Sequence, residues 1–279
     1  MTPLTARGSA KRQAFRRLHE AGCFMLPNPW DVGSARYLQS LGFEALATSS
    51  AGFAWSRGRA DGRLTRDEVL AHLKELAQAT DLPLNADFEN GFGADAEQVQ
   101  QSVRLALDTG VAGLSIEDSS GDASNPVFEL ETAVRRVRAA RAAIDDAGGE
   151  TVLVGRAENF FLGRPDLEDT IARLKAYAEA GADCLYAPGI RTREHIRAVV
   201  AAVAPKPVNV LVGWPSELTL AELGELGVRR ASVGGALARS AWGGLTRAAA
   251  ALAAGRFDEF AHAASGQELN ALFGQEPSR

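Results

Sequence analysis

The sequence predicts an α/β fold, a (β/α)8 barrel of the TIM type with extra C-terminal helices, and three observations carry that expectation. Eight short apolar runs bounded by turn residues alternate with longer stretches of helical period. The chain has the length of one such barrel, 279 residues. Several helical stretches end in glycine just ahead of the next apolar run, as a helix C-cap does.

Taken in order, the strand candidates are "CFMLPNP", "EALATSS", "LPLNADF", "AGLSIED", "TVLVGRAE", "DCLYAPG", "KPVNVLV" and "VRRASVGG". Stretches such as "TRDEVLAHLKELAQAT", "DAEQVQQSVRLALDTG" and "DLEDTIARLKAYAEAG" separate them, with apolar residues three and four apart. The segment "PNPWD" reads as a strand-to-helix turn with Asp31 as the helix cap and Trp30 lining the cavity. One barrel domain accounts for 1–279, and within it 247–279 forms a helical extension. Its Phe, Leu and Ala side chains need a surface to bury against, supplied by a neighbouring subunit or by the chain's own barrel.

Composition narrows the function. With 46% hydrophobic and 23% charged residues there is material for a large core. A net charge of -5 argues against nucleic acid, and the 26 arginines and four lysines are scattered among acids along helices. The two cysteines, Cys23 and Cys184, lie far apart in apolar segments, which disfavours a disulfide framework or a cysteine zinc site and fits a reducing cytoplasm. No apolar run approaches the ~20 residues of a membrane span, and the N-terminal stretch lacks the apolar core of an export signal.

Catalytic groups of such a barrel belong at the C-terminal ends of its strands, and there the sequence gathers acids. Asp61 lies in the loop after strand two, Asp87 and Glu89 in "NADFENGFG" after strand three, and Glu117 and Asp118 in "SIEDSSG" after strand four. If the chain stays extended, Asp87 and Glu89 point the same way, and something positive must offset their repulsion. A divalent, oxygen-preferring cation, Mg2+ or alternatively Mn2+, explains the group; any single acid could instead cap a helix or pair with arginine. Arg156, at the end of strand five, could pair with these acids or grip a substrate carboxylate. In "TSSAGFA" the hydroxyls of Ser49 and Ser50 and the amides through Ala51 and Gly52 could cradle an anion or form an ordinary polar turn. Asn209 is a polar intrusion in strand seven, able to donate to a ligand oxygen if it faces the barrel mouth. The Gly pair in "SVGGALAR" is a weak phosphate signal, and each of the four histidines falls in a helix without metal-ligand spacing.

As a set, "NPWDVGSARYLQSLGFEALATSSAGFA", "ADGRLTRDEV", "NADFENGFG", "LSIEDSS", "GRAE" and "GADCLYAP" resemble the isocitrate lyase and phosphoenolpyruvate mutase superfamily, over about residues 15 to 245. The resemblance implies Asp87 as the direct Mg2+ ligand, with Glu89, Glu117 and Asp61 acting through waters. It also implies a 2-oxo acid or dicarboxylate substrate held by Arg156 and the 49–52 amides, and an enolate formed as a carbon bond breaks. It implies a C-terminal helix exchanged between subunits, in homodimers or a dimer of dimers, that is, a homotetramer.

Departures are equally specific. Where the lyases of that family carry a cysteine proton donor in the loop after strand four, this chain has Asn125. An asparagine of the phosphonopyruvate-processing mutases matches Asn125, but their neighbouring lysine is Ala123, and Pro188 stands where strand six of those enzymes offers Glu or His. The expected function is a Mg2+-dependent carbon–carbon lyase, oxaloacetate decarboxylase-like or methylisocitrate lyase-like, with Arg156, Asn125 and Glu117 as its catalytic candidates. Phosphorus–carbon chemistry on phosphonopyruvate and non-catalytic 2-oxo acid binding are the alternatives. A Schiff-base mechanism is disfavoured, because Lys11, Lys74 and Lys175 sit on helices and Lys206 precedes strand seven.

Overall fold

The computed structural model describes residues 3–274. All eight predicted strands form: β1 (Phe24–Leu26), β2 (Leu46–Ala47), β3 (Leu84–Asp87), β4 (Gly113–Glu117), β5 (Val152–Arg156), β6 (Cys184–Tyr186), β7 (Val208–Leu211) and β8 (Arg230–Ser232). They pair in parallel in the order β1-β8-β7-β6-β5-β4-β3-β2. Between β1 and β2 there is no ladder; the Ala47 amide donates to the Pro27 carbonyl at 3.0 Å. Asn28 staples the same gap: its Nδ2 donates to Thr48 O at 2.8 Å, and its Oδ1 accepts from Val233 N and Gly234 N at 2.9 and 2.8 Å. The sheet is thus nearly closed into a barrel.

Among the described residues eleven α-helices surround it: α1 (Pro3–Leu18), α2 (Val32–Ser40), α3 (Ser50–Ser56), α4 (Arg66–Ala79), α5 (Ala96–Leu107), α6 (Leu130–Asp146), α7 (Leu167–Glu179), α8 (Arg193–Val203), α9 (Leu220–Glu225), α10 (Ala236–Ala253) and α11 (Gly266–Phe273). Their starts obey local chemistry. Asp31 caps α2 through the Ser34 amide, as expected, and Thr65 and Thr219 form capping boxes with Glu68 and Glu222. Gly227 leaves α9 with φ +89, a conformation that costs glycine nothing, and turns the chain into β8.

The N-terminal stretch is helical, as expected where it carries Lys11, although His19 lies one residue past the helix end; α1 closes the barrel bottom with Phe15, fully buried. Gly113 makes room for it, since a Cβ there would lie 2.6 Å from the Phe15 ring. The small-residue stretch after β2 is helix α3 rather than a loop.

At the C-terminus α11 lies against the chain's own α2, where Arg36 Nη2 donates to Phe273 O at 3.3 Å. Trp242, Leu245, Leu252, Phe257 and Phe260 remain exposed along this extension. Among the described residues no helix is long and apolar enough to cross a membrane.

Candidate active site

The mouth of the barrel is built around Arg156, the last residue of β5. Register places it beside Glu117 on β4 and Tyr186 on β6. Its Nη1 donates to Asp87 Oδ1 at 3.0 Å and lies 3.2 Å from Glu117 Oε2, while its Nε donates to Glu158 Oε1 at 2.5 Å. The guanidinium lies 5.1 Å from the Tyr186 ring centroid, a cation–π distance. Burial opposes its charge, but Glu158, Glu117 and Asp87 overcome that and hold its pKa well above the ordinary arginine range. Glu158, 2% exposed, was absent from the sequence-derived site although it closes the "GRAE" motif. Its spacing of two from Arg156 was the available signal.

Asp87 is fixed from three sides. Besides Arg156, its Oδ2 accepts from the Ser50 amide at 2.9 Å, and its own amide donates to Thr48 Oγ1 at 2.8 Å. Glu89 does not extend the strand. It sits in the left-handed region with φ +47, which costs a non-glycine residue energy, and its carbonyl accepts from the Glu117 amide at 3.0 Å. The two acids therefore do not share an extended strand; a backbone kink puts Glu89 against the end of β4.

Electrostatics at this end are unbalanced. Asp61, Asp87, Glu89, Glu117 and Glu158 surround one guanidinium. Desolvation first, then the Asp87 and Asp61 charges, pushes the Glu89 carboxyl up to about 8. Glu117 is driven well upward by burial, against the pull of Arg156. Asp61, exposed as a residue but lining the cavity with its carboxylate, is raised by desolvation and then by Asp87, against a hydrogen bond from the Ser50 side chain. One guanidinium therefore does not offset the desolvation of Glu89, Glu117 and Asp61, each of which is raised. Glu89 Oε1, moreover, is buried without a hydrogen-bond partner.

These residues fit a small divalent cation. Among the described residues no three His, Cys, Asp or Glu side chains converge closely enough to enclose an ion themselves. Mg2+ needs no such cage, because it commonly takes one or two carboxylates and keeps its waters. The expected direct ligand Asp87 and the expected outer acids Glu89, Asp61 and Glu117 do lie at this one end of the barrel, around Arg156.

The other predicted residues divide. Ser49 caps α3, its Oγ accepting from Gly52 N at 3.1 Å, so that hydroxyl is already engaged. Ser50 serves Asp87 and Asp61, leaving the Ala51 amide in that first turn for a ligand. A Cβ on Gly52 would lie 3.0 Å from the Trp30 Cβ, so both are packing residues, and Trp55 and Trp214 line the cavity where Trp30 was expected. Asn209 is the second residue of β7, in register with the first of β8, and lies fully buried below the mouth. There its Oδ1 accepts from Arg230 Nε at 2.9 Å and its Nδ2 donates to Ser232 Oγ at 3.0 Å. Asn125 is exposed on a small hairpin, closed by a bridge between Ser119 and Val127, and does not line the cavity. Asp118 turns away from the other acids: Tyr177 OH donates to its Oδ2 at 2.6 Å, Arg173 Nη1 at 3.2 Å, and the Glu158 amide to its Oδ1 at 2.8 Å. It positions the loop carrying Glu158.

The cavity, about 460 Å3, runs from Asp61 and Asp87 across Arg156 and Tyr186 to Arg230 and Trp214. With barrel, cavity and strand-end chemistry in place, comparison with known proteins decides the family. The phosphoenolpyruvate phosphomutase family matches residues 15–253. The chain belongs to that family. A crystal structure from Burkholderia cenocepacia J2315, provisionally called a lyase/mutase, is 46% identical with a TM-score of 0.94, covering 97% of this chain and 99% of its own. An oxaloacetate decarboxylase of Rhodopseudomonas palustris (strain BisB18) is 30% identical over 216 residues, 75% of this chain and 72% of that protein. Oxaloacetate acetylhydrolase, solved with its product oxalate, is 27% identical with a TM-score of 0.83, covering 96% of this chain and 94% of its own.

Phosphoenolpyruvate phosphomutase relatives and the isocitrate lyases form one superfamily of carbon–carbon lyases and mutases, typically Mg2+-dependent, and the chain takes its place among these enzymes. Within the phosphomutase family frame, Pro188 supplies no acid or imidazole after β6; Tyr186, two residues earlier, is the polar group that strand presents to the cavity.

Proposed function

We propose that this chain is a Mg2+-dependent carbon–carbon lyase acting on a small 2-oxo acid through an enolate, with decarboxylation of oxaloacetate as the reaction its residues support best. The observation that carries the reading is Arg156 set among Asp87, Glu117 and Glu158, beside the unpartnered Glu89. That cluster supplies both a cation site and a fixed positive group at one end of a cavity.

When bound, Mg2+ would supply positive charge beside the keto and carboxylate oxygens of the substrate. Asp87 would hold the ion, and Glu89, Asp61 and Glu117 would hold its waters. Arg156, already oriented by Glu158, donates to the oxygen on which negative charge grows. As the C3–C4 bond of oxaloacetate breaks, its electron pair passes into the C2–C3 bond and onto the C2 oxygen, and carbon dioxide leaves. A proton from solvent then adds at C3 to give pyruvate. This route needs neither the cysteine replaced by Asn125 nor an acid at Pro188, whereas phosphonopyruvate chemistry loses its main support with Asn125 outside the cavity.

The R. palustris relative and the oxalate complex support the same substrate class. Pyruvate release from oxaloacetate is the test. EDTA is expected to abolish it, and Asp87→Ala to lower turnover by about 10^3-fold. A rate indifferent to both would end the reading. Phosphate release from phosphonopyruvate would replace it, and oxalate binding without turnover would make the chain a 2-oxo acid binder.

A further inference from the structure

The cavity is electrically two-sided. Its wall carries two carboxylates, Asp61 and Asp87, both from the β2 and β3 side, and four guanidiniums, Arg156, Arg191, Arg230 and Arg239. Sheet order sets β2 to β4 across the barrel from β6 to β8. Arg156, between them, is neutralised by its own acids. On the far wall no such neutralisation exists among the described residues. Arg230, 2% exposed, meets only neutral groups: Asn209 Oδ1 at 2.9 Å, Asn85 Oδ1 at 3.3 Å and His19 Nε2 at 3.4 Å. Arg239 donates to the Gly213 carbonyl.

Arg191, in the loop after β6, has its guanidinium 3.8 Å from the centroid of the Trp214 ring, in the loop after β7. Its neighbour Arg193 is engaged by Glu222 at 2.5 Å, while Arg191 has no carboxylate in ion-pair reach among the described residues. Stacking on an indole fixes the plane of a guanidinium and leaves its edge free to meet a carboxylate with two parallel hydrogen bonds. Arg239, through Gly213, steadies the loop that carries the indole. The cavity volume of about 460 Å3 leaves room beyond the metal-chelating end of a 2-oxo acid.

We propose that Arg191, laid on Trp214, recognises a carboxylate at the end of the substrate remote from the 2-oxo group, so that the enzyme selects 2-oxo dicarboxylates over 2-oxo monocarboxylates. The proposal rests on the Mg2+ and 2-oxo acid reading above and names the distal half of that substrate in its bound ground state; in oxaloacetate that is the C4 carboxylate, whose contact with Arg191 breaks as its charge passes toward the C2 oxygen and it leaves as carbon dioxide. Arg230 adds a positive field to the same wall, and Arg191 makes the contact.

A matched pair of probes tests it. 2-Oxoglutarate and 2-oxovalerate share a chain length and the chelating end; one ends in a carboxylate and the other in a methyl group. Binding of each, and of oxalate, is measured by calorimetry in Mg2+ for the wild type, Arg191→Gln and Arg191→Lys. The wild type is expected to bind 2-oxoglutarate roughly tenfold or more tighter than 2-oxovalerate, the size of one charge-assisted contact at a partly open site. Arg191→Gln should bring the two within about twofold, and Arg191→Lys should restore part of the preference. Oxalate, which reaches only the metal end, should bind all three proteins alike and so reports that the variants are folded. A preference that survives in Arg191→Gln, or none in the wild type, overturns the assignment of Arg191 while leaving the metal reading in place. Failure of the wild type to bind oxalate would instead overturn the metal reading, and this proposal with it.

Discussion

Arg156 and Arg230 are both buried guanidiniums inside one barrel, three positions apart in strand order around its wall, yet they meet opposite surroundings. Arg156 lies among carboxylates that hold its charge firmly in place, and those carboxylates exceed what one guanidinium can balance. Arg230 is surrounded by two amide oxygens and an imidazole, so desolvation pulls its pKa below the ordinary arginine range. His19 donates Nδ1–H to the Phe15 carbonyl at 2.8 Å, which leaves Nε2 as the acceptor facing Arg230. One half of the cavity thus lacks positive charge and the other lacks negative charge. A ligand with a chelated cation at one end and a carboxylate at the other corrects both deficits.

Four experiments break or sharpen that contrast. The largest effect beyond the loss of turnover in Asp87→Ala is expected for Arg156→Gln. Removing the charged partner of several buried acids costs about 3–5 kcal/mol. Urea denaturation in EDTA should register the loss, and Mg2+ should recover part of it; full stability without Mg2+ would show that the acids are balanced some other way.

Next comes a pH effect at Glu89, whose folded carboxyl titrates at about 8, above its ordinary 4.5. The folded state then holds a proton that the unfolded chain releases, so in EDTA this contribution is complete below about pH 4.5 and is lost as pH rises through about 8, on the order of a few kcal/mol. Melting temperature against pH should fall across that window, and Glu89→Gln should flatten the slope.

Arg230→Met should cost less, about 1–2 kcal/mol, because the acceptors it abandons are neutral and the desolvation of a charge is relieved at the same time. Mg2+ should not recover this loss, in contrast to Arg156→Gln. Last comes His19, where burial and Arg230 lower the imidazole to about 3 from 6.5, a shift as large as that of Glu89 but expressed only in acid. Here the sign is opposite to Glu89: the contribution is complete above about pH 6.5 and is lost as pH falls toward about 3. His19→Gln should soften the acid limb of the stability profile and leave the alkaline limb unchanged.

Much of the active end was legible in the sequence. Every strand was found, because a buried strand needs a short apolar run and each run here is bounded by turn residues. Asp61, Asp87, Glu89, Glu117 and Arg156 were legible because their positions at strand ends fix which end of a barrel they occupy. Helix α1 was legible only as the helix that carries Lys11, and its place under the barrel was not, since a stretch rich in Arg and Lys carries little apolar periodicity and buries mainly Phe15. Asn209 was misplaced, since a polar residue in an apolar strand announces an unusual neighbour without saying how deep it lies. Glu158 and Asp118 exchanged expected importance, because adjacent acids after a strand point in different directions once the backbone leaves the ladder.

The sequence by itself determined the barrel, the end that carries the chemistry, and the excess of acids there, because periodicity and strand-end position are local properties of the chain. Which acids share Arg156, which one turns to Arg173 and Tyr177, and why Arg230 and Arg191 meet no carboxylate among the described residues were decided only by the tertiary structure. Those pairings join residues distant in the chain through strand register and the stagger of the closed sheet, and no local pattern encodes a distance of three ångströms across a barrel.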